Sequence, residues 1–528
     1  MPKKKEQEEN TLVFRFGGGL HTRASEDQIN PLEAADGKNF DLDPINHAFQ
    51  NRKPFDLVGT VPNASQINGF VSLLKSDGMV SFLVQAGTTV YEWDGLTSFV
   101  SKGTVTSGAK LRGRLEHQWQ LTDKVLVTDL GFVHPVMEWD GTTLQNVSFT
   151  NEAAGAFGTF RARYCTVQNE RAIFANVHSN GTDSEHLIVG SKRGDYTQIT
   201  VSNRPASSLS AFDPFFVVQL DNRYINGLIE AFGTTITSSL NGDMFKMTGT
   251  NAQNFQIEPL YPRSGASGNE SVTYVGNDIV YGRIGAIESV ASTDQFGDVE
   301  TNDLSAPVYD KVKTYKDWTI VYNSRTQRVY CFPDDVSECW VLHKPMIGQP
   351  VSPWSKWTTT HPLTFQPTAV MNAYDPQDKL EYVFMGDASG NIYRLEGTGS
   401  GDGGTYDITC ERLTGMVRIP SDASMYNIDG WIIYRKNVAA TVPLRFEYAG
   451  ISVFNETITI SIPADTSGIY WGGFYWGGGY WGSKFAGRLT RQRFGVPGRS
   501  TEFQVRITVE GSTDFEIQEI GFRFYTAA

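Results

Sequence analysis

The sequence predicts an all-β protein: an irregular β-propeller followed by a C-terminal antiparallel β-sandwich, with an extended N-terminal arm. Three observations carry this. Short apolar or alternating runs punctuated by Gly, Asn and Asp recur along almost the whole chain, the pattern of strands and tight turns. No capped amphipathic run of a dozen residues interrupts them. One hairpin is repeated: "VYEWDG" ends at Gly95 and "VMEWDG" ends at Gly141, an offset of 46 residues, within the ~40–50 residues of one propeller blade.

The elements follow in order. Residues 1–55 read as an arm with the first strands. "MPKKKEQEEN" has balanced charge and no apolar centre, so it reads as a short disordered tail rather than a secretory signal. Gly17-Gly18-Gly19 lacks the Gly-Lys-Ser/Thr of a phosphate loop and reads as a turn or flexible arm. Residues 56–400 read as the propeller, with room for five to seven blades of ~45 residues. In the repeated hairpin, Trp93 and Trp139 cover the sheet of a neighbouring blade, while Asp94 and Asp140 with the following glycines make the turn. "IYRLEG" is a weaker third copy, with Leu395 in the place of Trp. A single four-stranded sheet cannot bury both its faces alone, so blades stack around an axis and bury each other.

"EGTGSGDGGTYD", Glu396 to Asp407, reads as a Gly-Ser linker. Residues 401–528 then alternate more regularly, in five runs from "GWIIYRKN" to "FEIQEIGFRFY", as a sandwich requires. Between two of these runs lies "GIYWGGFYWGGGYWGSKF", residues 468–485. Its Tyr-Trp pairs, Tyr470-Trp471, Tyr475-Trp476 and Tyr480-Trp481, recur every five residues, a period that fits neither helix nor strand. A long loop is expected over 468–486. Just beyond it, Lys484, Arg488, Arg491, Arg493 and Arg499 form a basic stretch without an acidic residue.

Composition narrows the function. The 528 residues carry a formal net charge of −13, the wrong sign for a protein that grips duplex DNA by its phosphates. An acidic wall is compatible with DNA sliding past without sticking. No run approaches the ~18 apolar residues of a membrane span. Four cysteines are too few for a disulfide framework. Cys331 and Cys339 could pair across a hairpin, but all four are expected to be reduced and buried, as in a protein made in the cytosol. Eight histidines are scattered without metal-ligand spacing, and there is no Gly-x-Ser-x-Gly elbow. Asp387, Ser389, Asn391 and Glu396 are spaced loosely like a calcium loop, but a hairpin turn accounts for them. No enzyme activity, metal or cofactor is expected.

"FRFGGGLHTRASEDQINPLEAADGKNFDLDPINHAFQNRKPF", the two Glu-Trp-Asp-Gly hairpins, "GDASGNIYRLEG" and the Trp-rich interruption of the final sandwich together resemble the tail nozzle, or tail tubular, proteins of short-tailed bacteriophages. The resemblance is one of pattern over most of the chain. It implies a structural virion protein made in the host cytoplasm: a homohexameric ring of the head–tail connector that continues the channel of the portal and adaptor rings. It further implies gating of DNA ejection, passive contact with double-stranded DNA, attachment of fibres or spikes outside, and no membrane insertion. Under it the Tyr/Trp loop is a subunit or partner seam, the alternative being rings folded back over an open face of the sandwich, and the basic stretch faces a partner ring or DNA, the alternative being a solvated strand edge. The alternative from another class is a glycan-binding or glycan-degrading tail propeller, whose rings would stack on sugars.

Overall fold

The computed structural model describes residues 9–25, 28–43, 48–151, 155–156, 159–179, 181–200, 210–219, 223–231, 233–268, 270–292, 299–399, 401–418, 424–436, 440–447, 455–462, 490–500, 502–510 and 515–527. Strands dominate; the one α-helix among the described residues is the single turn Tyr309–Val312. No helix among them is long and apolar enough to cross a membrane.

Among the described residues, seven four-stranded antiparallel units make the propeller. Blade one is Ile67–Leu74, Val80–Ala86, Thr89–Trp93 and Phe99–Thr104. Blade two is Leu111–Gly113, Lys124–Asp129, Met137–Trp139 and Leu144–Asn146. Blades three to six begin at Arg161, Ile225, Val272 and Trp318, respectively. Blade seven takes Ala369–Tyr374, Glu381–Gly386 and Asn391–Arg394 from the end of the region, and its outermost strand, Asp56–Thr60, from the beginning. First strands of successive blades lie side by side around the ring, and that of blade seven lies beside that of blade one. In blade two, whose first strand has three residues, the second strand meets blade three. Closure by a strand distant in sequence ties the two ends of the ring together through backbone hydrogen bonds, leaving no open seam.

The rest of the chain forms two facing sheets. One has the order Phe40–Asp43, Ala48–Asn51, Phe515–Ala527, Ser424–Lys436, Thr490–Ser500, with Glu9–Arg15 also paired to Phe515–Ala527. The other runs Ala34–Lys38, Thr409–Thr414, Glu502–Glu510, Ala440–Glu447, Asn455–Ile462. The N-terminal segment thus supplies strands to both sheets, and the propeller is an insertion between the first and last strands of the sandwich. A single apolar core joins the bodies: Phe14, Phe49, Ile432 and Ile507 of the sandwich cluster with Trp318, Trp340 and Trp354 of blade six and Ile287 of blade five.

Two expectations change. The Gly17–Gly19 run is no free turn. A Cβ on Gly19 would stand 2.1 Å from the Trp354 carbonyl oxygen, and the Gly19 N–H donates to Ser352 O at 2.7 Å; glycine is there so that two backbones can touch. The segment read as a linker, 396–407, is pinned. Thr398 and Gly399 N–H groups donate to the Asp56 carboxylate, and buried Asp402 pairs with buried Arg52. Gly-rich composition signals backbone permissiveness, and here that permissiveness serves close packing.

Candidate functional site at the propeller mouth

The repeated hairpins are structural. Trp93 is buried; its indole N–H donates to Leu96 O at 3.0 Å, and its ring meets Phe384 of blade seven edge-on at 5.7 Å. Trp139 is buried against blade one, donating to Ser81 Oγ at 3.0 Å with Lys102 Nζ 5.5 Å from its ring. Leu395 sits equivalently in blade seven, in the cluster with Tyr330 and Trp357 of blade six. Asp94 accepts the Leu96 and Ser98 N–H groups, Asp140 those of Thr142 and Thr143. Gly95 and Gly141 hold φ of 85° and 87°, left-handed values that suit glycine. Asp387 likewise closes its hairpin on Ser389 and Asn391, while Glu396 turns away to Arg328 and Tyr330.

The expected seam, Tyr470, Trp471, Tyr475, Trp476, Tyr480 and Trp481, lies outside the described residues, as do Lys484 and Arg488. Arg491 and Arg493 are exposed on Thr490–Ser500, the Arg491 guanidinium 4.5 Å from the Trp431 ring. Arg499 stands on the same strand opposite Tyr426. The strands that flank 463–489, Asn455–Ile462 and Thr490–Ser500, are each the outermost strand of their sheet.

Sequence reasoning missed a concavity. Where the innermost strands of blades one, two, five, six and seven begin, a cavity of about 560 Å³ opens on the propeller axis. Asn68 and Lys110 line it, with Arg112, Glu270, Asp317 and Asp334. Arg112 makes a two-pronged pair with Glu270, and Arg114 Nη2 reaches the same carboxylate at 2.9 Å. Burial pushes the Glu270 carboxyl up, but the two guanidiniums outweigh it and hold it below the ordinary value. Asp317 is raised by burial and by Asp335. Asp334 is pushed up to about 6 by desolvation against the cavity wall and by the charges of Asp317, Asp335 and Glu270; its own exposure lets solvent soften the effect. The mouth can therefore take a small polar or cationic group, and its Asp317 and Asp334 hold a proton more readily than free carboxylates do. No signal in the sequence marks it, since its members come from five blades.

All four cysteines are buried and free. Cys331 lies in the core with Trp318 and Trp340, Cys339 in that with Tyr330 and Trp357. They face opposite sides of blade six, which removes the hairpin disulfide. Among the described residues no group of three or more His, Cys, Asp or Glu is placed to hold a metal ion.

No protein-family model and no curated protein matches the chain. Among solved structures it is similar to the computationally designed Ika8 protein (11% identity, TM-score 0.36, covering 64% of this chain and 99% of that one). It is also similar to BBS1N in complex with ARL6DN (9%, 0.41, 66% and 99%), and to the WD40 domain of Toxoplasma gondii coronin (9%, 0.38, 68% and 86%).

Proposed function

We propose that the chain is a structural protein of a bacteriophage tail, a ring-forming nozzle that extends the DNA channel below the portal and adaptor rings. The observation that supports this is the position of the Tyr/Trp/Gly segment. It connects the outermost strands of both sandwich sheets. Outermost strands present unpaired backbone groups ready to meet another chain, and Tyr and Trp are the residues that dominate protein–protein contacts. A seam between one subunit's sandwich edge and a different face of the next closes into a ring after a fixed number of copies. The exposed Arg491 and Arg493 flank that edge and suit an acidic neighbour. In this reading the propeller is a rigid block, and DNA passes along the axis of the subunit ring, outside the propeller's own axis.

The test is assembly. The wild-type chain should sediment as a ring, near a hexamer, alone or with its neighbours, and Trp471→Ala/Trp476→Ala/Trp481→Ala should give folded monomers. A triple variant that unfolds instead would place the rings in the subunit's own core. A second reading, a glycan-binding or glycan-cleaving tail propeller, is favoured by the mouth cavity, where amides and carboxylates converge on the axis as sugar recognition requires. A monomer or trimer that binds or degrades polysaccharide would select it.

A further inference from the structure

Beside the mouth lies a second, smaller cavity of about 50 Å³ among blades two, three, four and five, sharing Arg112, Leu130 and Glu270 with the first. Arg112, Arg114 and Arg163 bring three guanidiniums to its wall, against one carboxylate, Glu270. Both Glu270 oxygens are taken: Arg112 holds them through Nε and Nη2, and Arg114 adds a third bond. His117 does not change the balance. Burial and the neighbouring Arg114 lower its pKa to about 4, against the pull of Glu116, and its Nδ1 donates to Leu126 O at 3.2 Å. Asp317 and Asp334 line the adjoining mouth, not this wall.

Three side chains that line the cavity each keep a buried atom without a hydrogen-bond partner: Arg112 Nη1, Thr128 Oγ1 and Arg163 Nε. Arg112 and Thr128 are buried outright, at 4% and 0% exposure. Arg163 has spent Nη1 on Leu130 O at 3.0 Å. Two of the three open atoms can only donate, and the hydroxyl can donate as well. A water beside them would accept some of these bonds but would leave the three guanidiniums balanced by the one carboxylate. An anion accepts from all three and offsets the surplus of buried positive charge. The volume suits a particle the size of a water or a halide and excludes a sugar or nucleotide.

We propose that Arg112, Thr128 and Arg163 form a binding site for a monatomic inorganic anion, a halide such as chloride, next to the propeller axis. The proposal is independent of the tail reading. Crystals of the full chain soaked in sodium bromide, with anomalous data collected at the bromine edge, should show a peak within hydrogen-bond reach of the three side chains. Thr128→Val, which keeps the shape and removes one donor, should lower its occupancy. In solution, millimolar chloride should raise the melting temperature by about 1 °C over gluconate at equal ionic strength. An ordinary water there with no anomalous signal overturns the site. A bromide peak without any chloride effect on melting means an adventitious ion only, and also overturns it. Should Thr128→Val fail to fold, the two wild-type measurements decide by themselves.

Discussion

Single side chains show why some positions were legible and others were not. Trp93, Asp94, Trp139 and Asp140 were readable because a turn and the ring beside it are settled within five residues. Asp317 and Asp334 were not: nothing about either residue alone tells that blade five brings Glu270 beside them. Trp139→Ala removes a buried ring that spans two blades and should cost about 3–5 kcal/mol, read as a drop in the urea midpoint. The mouth carboxylates make a prediction in pH. The native value of Asp334, about 6, stands above its ordinary 3.8. Between those values the folded chain keeps a proton that the unfolded chain has released, so stability falls as pH rises through that window, and the loss persists above it. Asp334→Asn should flatten this slope in denaturation midpoints measured from pH 4 to 7; an unchanged slope would assign it to other groups. Glu270 acts at the other end. Its native value lies below 4.5, so its contribution is intact above pH 4.5 and is lost as pH falls below it. The Asp334→Asn variant should keep that acid limb.

Among the elements, alternation and turn chemistry announced the strands, and partner choice stayed hidden. The strand Asp56–Thr60 looks like any short run, yet it pairs with Asn391–Arg394. That pairing is set by ring closure, which no local window contains. Glu9–Arg15 and Ala34–Lys38 fall in the stretch read as an arm with the first strands, and the sheets they join are built from residues near the other end of the chain. The glycine run between them carries the sharpest test. A methyl group at residue 19 would collide with the Trp354 backbone, which cannot rotate aside as a side chain can. Gly19→Ala should therefore destabilise by about 1–3 kcal/mol and should loosen the N-terminal segment first. Hydrogen exchange of the variant would be faster at positions 19 and 20, whose N–H groups in the wild type donate to the Ser352 and Trp354 carbonyls. If exchange there is unchanged, the backbones are not in contact.

For the molecule as a whole, two architectures suggest two independent unfolding units, and the packing argues for one. The propeller is threaded between strands of the sandwich, so the chain crosses from one body to the other twice. At that crossing Arg52 gathers Asp402, the Thr358 carbonyl and Asn39, and Asn39 reaches on to Thr409 O at 2.9 Å. Both members of the Arg52–Asp402 pair are buried, at 1% side-chain exposure each. Removing one partner strands the other charge in a low-dielectric site, a loss of about 3–5 kcal/mol. Calorimetry of the wild-type subunit should accordingly give one cooperative transition. Asp402→Ala should lower its midpoint without splitting it, because the shared core of Phe14, Phe49, Trp318 and Trp354 still couples the bodies. Two separated wild-type transitions would mean that the sandwich and propeller move as independent parts, and a rigid tail component could not be built from such a subunit. A variant that splits the single transition in two would assign the coupling to the Arg52 crossing alone, with the apolar core contributing packing but no cooperativity.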